Sequence, residues 1–105
     1  MSPDPKLLQE LVDRIVQAVH PLRIILFGSA AQGQMGPDSD LDVLVVMPEG
    51  THRRKTAQHI YRRMLGFGFA KDIVVATETD LQEHADNPGL VYKQALAEGK
   101  ELYHV

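Results

Sequence analysis

The chain has 105 residues, 44% of them apolar and 24% charged, with a formal net charge of −3, the profile of one small globular domain with an ordinary core. The negative balance excludes a protein that coats polyanions as a whole, so any nucleotide contact has to be local, and direct nucleic-acid binding is not expected. Cysteine is absent, which excludes disulfides, thiolate zinc sites and a cysteine nucleophile.

The opening MSPDPK carries no signal-peptide pattern, and no apolar run nears the ~20 residues of a membrane span. A cytoplasmic protein without membrane association, folded as a single domain over residues 1–105, is therefore the expectation. Ser2-Pro3-Asp4-Pro5 supplies cap-type residues and helix-start prolines. Leu7, Leu8, Leu11, Val12, Ile15, Val16 and Val19 then recur at helical spacing and predict a packing helix that ends near His20-Pro21. Arg23 to Phe27 predicts a short strand buried on both faces. Gly28 ends it, Ser29 is placed as N-cap of a short helix over Ala30, Ala31 and Gln32, and Gly33 stops that helix. After a Gly36-Pro37-Asp38 turn, Leu41 to Met47 reads as the second strand.

Thr51 to Leu65 predicts a long helix with Ala57, Ile60, Tyr61, Met64 and Leu65 as its apolar stripe. Lys55, His59, Arg62 and Arg63 fall on the opposite face, either as a solvated surface or as a contact for triphosphate, RNA or an acidic partner. Gly66 to Phe69 breaks the helix, and Asp72 to Ala76 is a third strand. Phe67 and Phe69 are candidates for a partner surface, while Tyr61 and Tyr92 read as packing residues with a polar tip. Thr79 or Asp80 is expected to cap a turn over Leu81 to Ala85. Asp86-Asn87-Pro88-Gly89 should begin a helix carrying Leu90, Val91, Ala95 and Leu96, closed at Gly99, before a short edge strand over Leu102 to Val105. This order predicts an α/β domain with one layer of sheet.

The chemistry concentrates between Gly28 and Asp42. Asp40 and Asp42 enter a strand two residues apart, a spacing that points both side chains one way. Asp38 and Asp40 alone would pass as turn residues, but Asp42 lies inside an apolar strand, where a carboxylate is disfavoured. Asp72, just before Ile73-Val74-Val75-Ala76, repeats the anomaly. Three such carboxylates brought together repel one another unless a cation neutralises them. An all-oxygen set suits a hard ion, Mg²⁺ or Mn²⁺, bound together with substrate phosphates. Gly28-Ser29 allows close backbone approach and offers a hydroxyl and helix-start N–H groups to an anion. The glycine spacing fits neither a P-loop nor a G-x-G-x-x-G turn. The five histidines show no metal-binding spacing, and Ser29 lacks a hydrolase context.

The segment GSAAQGQMGPDSDLDVLVV resembles the signature of the DNA polymerase β-like nucleotidyltransferase superfamily: Gly-Ser, a glycine a few residues on, then Ser-Asp-x-Asp. The small size points to its minimal nucleotidyltransferase branch, similar to the antitoxin partners of HEPN-domain toxins. The resemblance implies a palm-like α/β fold with a small mixed sheet of three to four strands flanked by helices. It implies that Gly28, Ser29 and Ser39 bind the nucleotide, the first two at the β,γ-phosphates. Asp40, Asp42 and Asp72 would be the catalytic residues and the ligands of two Mg²⁺ ions, with Mn²⁺ possible and Asp72 helping to activate the attacking hydroxyl. The implied activity is transfer of AMP, one or a few, from ATP to a hydroxyl of a HEPN-domain partner. The chain departs from the branch's frequent Gly-Ser-x-Ala-Arg-Gly by carrying Gln32, and it ends without the acceptor-binding domain of larger relatives. The alternative is an antitoxin that only binds and occludes its toxin, the site being vestigial.

Overall fold

A computed structural model of the chain describes residues 2–84, 87 and 91–105. The elements follow in the order α1 (Pro5–Val19), β1 (Arg23–Phe27), α2 (Gly28–Ala31), β2 (Leu41–Met47), α3 (Arg53–Arg63), β3 (Lys71–Thr77), α4 (Glu78–His84), α5 (Tyr92–Glu98) and β4 (Lys100–His104). The strands form one mixed sheet in the order β3-β2-β1-β4, in which β2 and β3 are parallel and the other pairs antiparallel. The expected α/β architecture is present, with a fourth strand at the edge. Among the described residues no helix is long and apolar enough to cross a membrane.

Strand alternation divides the core in two. Ile24, Leu26, Leu41, Val43, Val45, Ile73 and Val75 face α1 and α3, where they meet Leu11, Ile15, Ile60 and Met64. Ile25, Phe27, Leu44, Val46 and Ala76 face the other way, onto Leu81 of α4 and Tyr92 and Ala95 of α5. Burying the central strands on both faces explains why their sequences are continuous apolar runs rather than alternating ones.

Helix α1 starts where its residues dictate. The Asp4 carboxylate accepts the Lys6 N–H at 2.9 Å, and Pro5 occupies the first turn, where a missing N–H costs nothing. The helix ends at His20, which takes a left-handed φ of 49° ahead of Pro21. Helix α3 is shorter than its periodicity suggests. His52 caps it by accepting the Lys55 N–H on Nδ1 at 3.2 Å, and the expected stripe narrows to Ile60 and Met64 with Ala57 beside them. Leu65 lies beyond the helix, 80% exposed, and Tyr61 is 40% exposed. The Tyr61 hydroxyl accepts the N–H of Ile73 at 2.8 Å.

Other expectations need correcting. Phe67 is buried rather than a surface residue, with Arg14 and Lys71 stacked over its ring at 5.5 and 5.7 Å. The cap of α4 is neither Thr79 nor Asp80 alone. Thr77 and Asp80 bond reciprocally, Thr77 N–H to Asp80 Oδ2 at 2.9 Å and Asp80 N–H to Thr77 Oγ1 at 3.2 Å, which is a capping box. In α5 the buried residues are Tyr92 and Ala95, whereas Val91 and Leu96 are largely exposed. Ala85 and the expected helix start over 86–90, Asn87 apart, lie outside the described residues.

Gly99 does more than end α5. Its backbone is ordinary, with φ −74°, yet a Cβ there would collide with the Ala95 carbonyl and lie 2.5 Å from Ile25 Cγ2 and 3.0 Å from the Leu26 carbonyl. Gly99→Ala should therefore wedge β4 away from β1 and cost about 1–3 kcal/mol. Urea unfolding of the variant checks this; an unchanged midpoint would show that the contact yields without cost.

Candidate functional site

One end of the sheet gathers the carboxylates, because β1 leaves the sheet there while β2 and β3 enter it. The antiparallel pair sets Phe27 opposite Asp42, and the parallel pair sets Asp42 opposite Asp72. Residues paired in this way project from one face. Asp42 and Asp72 thus stand at the end of the face that continues into Leu44, Val46 and Ala76. Asp42 is half-buried, and Asp40 and Asp72 are exposed. Burial first, then the charges of Asp72 and Asp40, push the Asp42 carboxyl above its ordinary value of 3.8. Two of the aspartates singled out in the sequence, Asp40 and Asp72, are therefore brought into electrostatic reach of the third, Asp42.

Gly28 is fixed by two independent constraints. Its φ of +72° belongs to the left-handed region, and a Cβ on it would run into the Asp42 carboxylate, 3.3 Å from Cγ and nearer still to Oδ2. No other residue type lets the β1–α2 turn lie this close to Asp42. Ser29 sits inside α2, half-buried, rather than capping it; the capping position falls to Phe27, which makes no side-chain cap bond. The reason is the left-handed Gly28, which lets the chain coil directly out of the strand. Ser39 closes the turn that delivers Asp40: its Oγ accepts the Gly36 N–H at 2.9 Å, and its own N–H donates to the Gly36 carbonyl at 3.2 Å. The Leu41 N–H then donates to the Ala70 carbonyl at 2.9 Å, tying the entry of β2 to the loop before Asp72. Beside Asp40 lies an open recess of about 380 Å³, walled by residues 37–40 and 68–70.

Gln32 faces elsewhere. Its amide donates to the Glu98 carbonyl at 3.1 Å, tethering α2 to the C-terminal end of α5. No residue near Gln32 in the sequence signals this bond, which spans 66 residues. The Thr77-Asp80 box, by contrast, is written in the order Thr-x-x-Asp and was available to a search for capping boxes.

The donor set suits a hard divalent cation. Its carboxylate oxygens carry excess negative charge, and burial, then the charges of Asp72 and Asp40, make Asp42 prone to protonation. Among the described residues no group of three or more His, Cys, Asp or Glu side chains is placed to hold a metal ion, so the three aspartates do not by themselves form a ligand cluster in this structure.

Comparison with solved structures gives the same picture of the fold. A protein from Sulfolobus solfataricus assigned as a nucleotidyltransferase superposes with a TM-score of 0.64 at 20% identity, covering 94% of this chain and 78% of that one. A toxin–antitoxin structure with AMP-PNP superposes with a TM-score of 0.59 at 22% identity, covering 92% and 73%. Among curated proteins none matches. The model of the nucleotidyltransferase domain family matches residues 6–101, nearly the whole chain including the Gly28 turn and all three aspartates, and the chain belongs to that family.

Proposed function

We propose that the chain is a Mg²⁺-dependent nucleotidyltransferase, using ATP and moving AMP onto a hydroxyl of a partner protein, of the kind that serves as antitoxin to a HEPN-domain toxin. The observation that carries the reading is Asp42, paired across the strands with Asp72 and within reach of the charge of Asp40, beside a glycine whose missing Cβ leaves room at Asp42. The toxin–antitoxin assembly with AMP-PNP among the structural matches supports both the nucleotide and the type of partner.

In this reading Gly28 and Ser29 hold the β,γ-phosphates, Ser39 shapes the loop that presents Asp40, and Asp40, Asp42 and Asp72 hold Mg²⁺. When bound, Mg²⁺ supplies positive charge against the phosphates and lowers the pKa of the acceptor hydroxyl. The acceptor oxygen attacks the α-phosphorus in line, the bond to the β-phosphate bridge breaks, and pyrophosphate leaves toward Gly28-Ser29. Asp72, on the strand farthest from those residues, takes up the hydroxyl proton. Positioning and fixed charge supply the acceleration, with no covalent intermediate on the protein.

A second reading, an antitoxin that acts by occlusion, is favoured by one feature. Gln32 spends its amide on Glu98 rather than placing a cation at the site. ATP labelled at the α-phosphate, incubated with the chain and the protein encoded beside it, separates the two. Label is expected on the partner and should vanish with Asp72→Asn, a mild change at an exposed strand start. A tight complex with no label in either case would favour occlusion.

A further inference from the structure

Five of the chain's eleven Lys and Arg residues, Arg53, Arg54, Lys55, Arg62 and Arg63, stand in the eleven residues of α3, which hold no Asp or Glu. The rest of the chain has six Lys and Arg against fourteen Asp and Glu, so charge is strongly segregated. Arg53 pairs with Asp80 at 3.1 Å. Among the described residues Arg54, Lys55, Arg62 and Arg63 have no ion pair, and all four are exposed. The helix dipole favours Arg62 and Arg63 in the last turn but opposes Arg54 and Lys55 in the first. Among the described residues no ion pair offsets that opposition at Arg54 and Lys55. Beside these cations lie Tyr61 on the helix and Leu65 just past its end, 40% and 80% exposed. An apolar strip rimmed by arginine has the make-up of a protein-binding surface.

The topology brings the last turn of α3 to the site end of the sheet, although the helix covers the face opposite to Asp42 and Asp72. β2 and β3 are parallel, so α3 runs antiparallel between them and returns to the end where Asp72 begins β3. A helix of eleven residues is only about 16 Å long and offers a few hundred Å², against the ~800 Å² per partner of a standard interface. A partner seated on it must therefore continue past Leu65 onto the 66–70 loop, toward Asp40 and Asp72. A nucleic-acid strand following that path would meet the three carboxylates; a protein surface with a bounded acidic patch would not.

We infer that the exposed face of α3, with Lys55, Tyr61 and Arg62, together with Leu65 just past its end, docks an acidic protein surface with an apolar centre whose contact continues over the 66–70 loop to the Asp40 and Asp72 end of the sheet. The inference rests on the reading of the acceptor as a protein. The test measures binding of the full chain to the protein encoded beside it, at low and high salt. The triple variant Lys55→Glu, Arg62→Glu, Arg63→Glu should bind at least ~30-fold more weakly, with most of the wild-type salt dependence gone. Leu65→Ser should weaken binding by about 5–10-fold at any salt. Thermal stabilisation by Mg²⁺-ATP should be the same in all variants, since none of these residues lies at the carboxylates. Wild-type affinity in the triple variant overturns the inference, as does absence of a complex with the wild-type chain. So does a 20-nucleotide RNA hairpin that binds the wild type tightly and loses affinity in the triple variant. In each of these cases Mg²⁺-ATP stabilisation, read on the same samples, decides separately whether the nucleotidyltransferase reading stands.

Discussion

Asp42→Asn is expected to lower nucleotidyl transfer by about 10²–10³-fold or more and, in metal-free buffer at neutral pH, to make the protein more stable than wild type. The sign follows from the raised folded-state pKa. A carboxyl whose value rises on folding contributes stability that is fully present below its ordinary value of 3.8 and lost as pH climbs through the raised one. At pH 7 the ionised Asp42 is therefore a net cost, which the neutral amide removes. Much of the carboxylate remains solvated, so the gain after screening is up to about 1 kcal/mol, or roughly 4–8 °C in Tm for a domain of this size. The difference should shrink as pH falls into the acid range. Added Mg²⁺ should raise the wild-type Tm more than that of the variant. Melting curves at pH 4, 5 and 7 with and without Mg²⁺ measure all of this; a variant less stable than wild type at pH 7 without metal would show that Asp42 is not strained by its neighbours.

Gly28→Ala should be as damaging to activity and, unlike Asp42→Asn, damaging to the fold. A left-handed alanine costs about 1–3 kcal/mol in backbone strain alone, and its methyl displaces the Asp42 carboxylate. The two contributions separate in a double-mutant cycle. In an Asp42→Ala background the steric part disappears, because the Asp42 Cβ is 3.5 Å from the built Cβ of residue 28, an ordinary contact. Gly28→Ala should then cost about 1 kcal/mol less than in the wild type. Strict additivity would mean that the carboxylate moves aside freely and that Gly28 is needed only for its φ.

The central strands were legible because each is a continuous apolar run bounded by a glycine, proline or aspartate; β1 and β2 have the limits that their residues predict. The three aspartates were legible because a carboxylate in an apolar strand is an anomaly that needs a reason. Phe67 was misread because its burial depends on Arg14 from α1, 53 positions away, closing over the ring. Leu65 and Leu96 were placed in apolar stripes by periodicity, which gives the direction of a side chain but not the reach of the helix it would pack on. The cap of α2 was misplaced by two residues, at Ser29 instead of Phe27, because cap preferences assume an ordinary backbone at the strand end, and Gly28 is not ordinary. The role of Gln32 depended on where α5 ends, which no neighbouring residue announces.

The hydroxyl of Tyr61 and the carboxylate of Asp80 have one more effect. β3 is an outer strand of the sheet, and its outward N–H groups recur at every second residue. Two of them, at Ile73 and Thr77, are already taken by those side chains. A strand from another molecule approaching this side would find its hydrogen-bonding template occupied at both ends, which makes the edge a poor template for β-augmentation and for growth of cross-strand aggregates. A domain that presents α3 next to this edge can engage another protein through side chains while offering it little of the backbone.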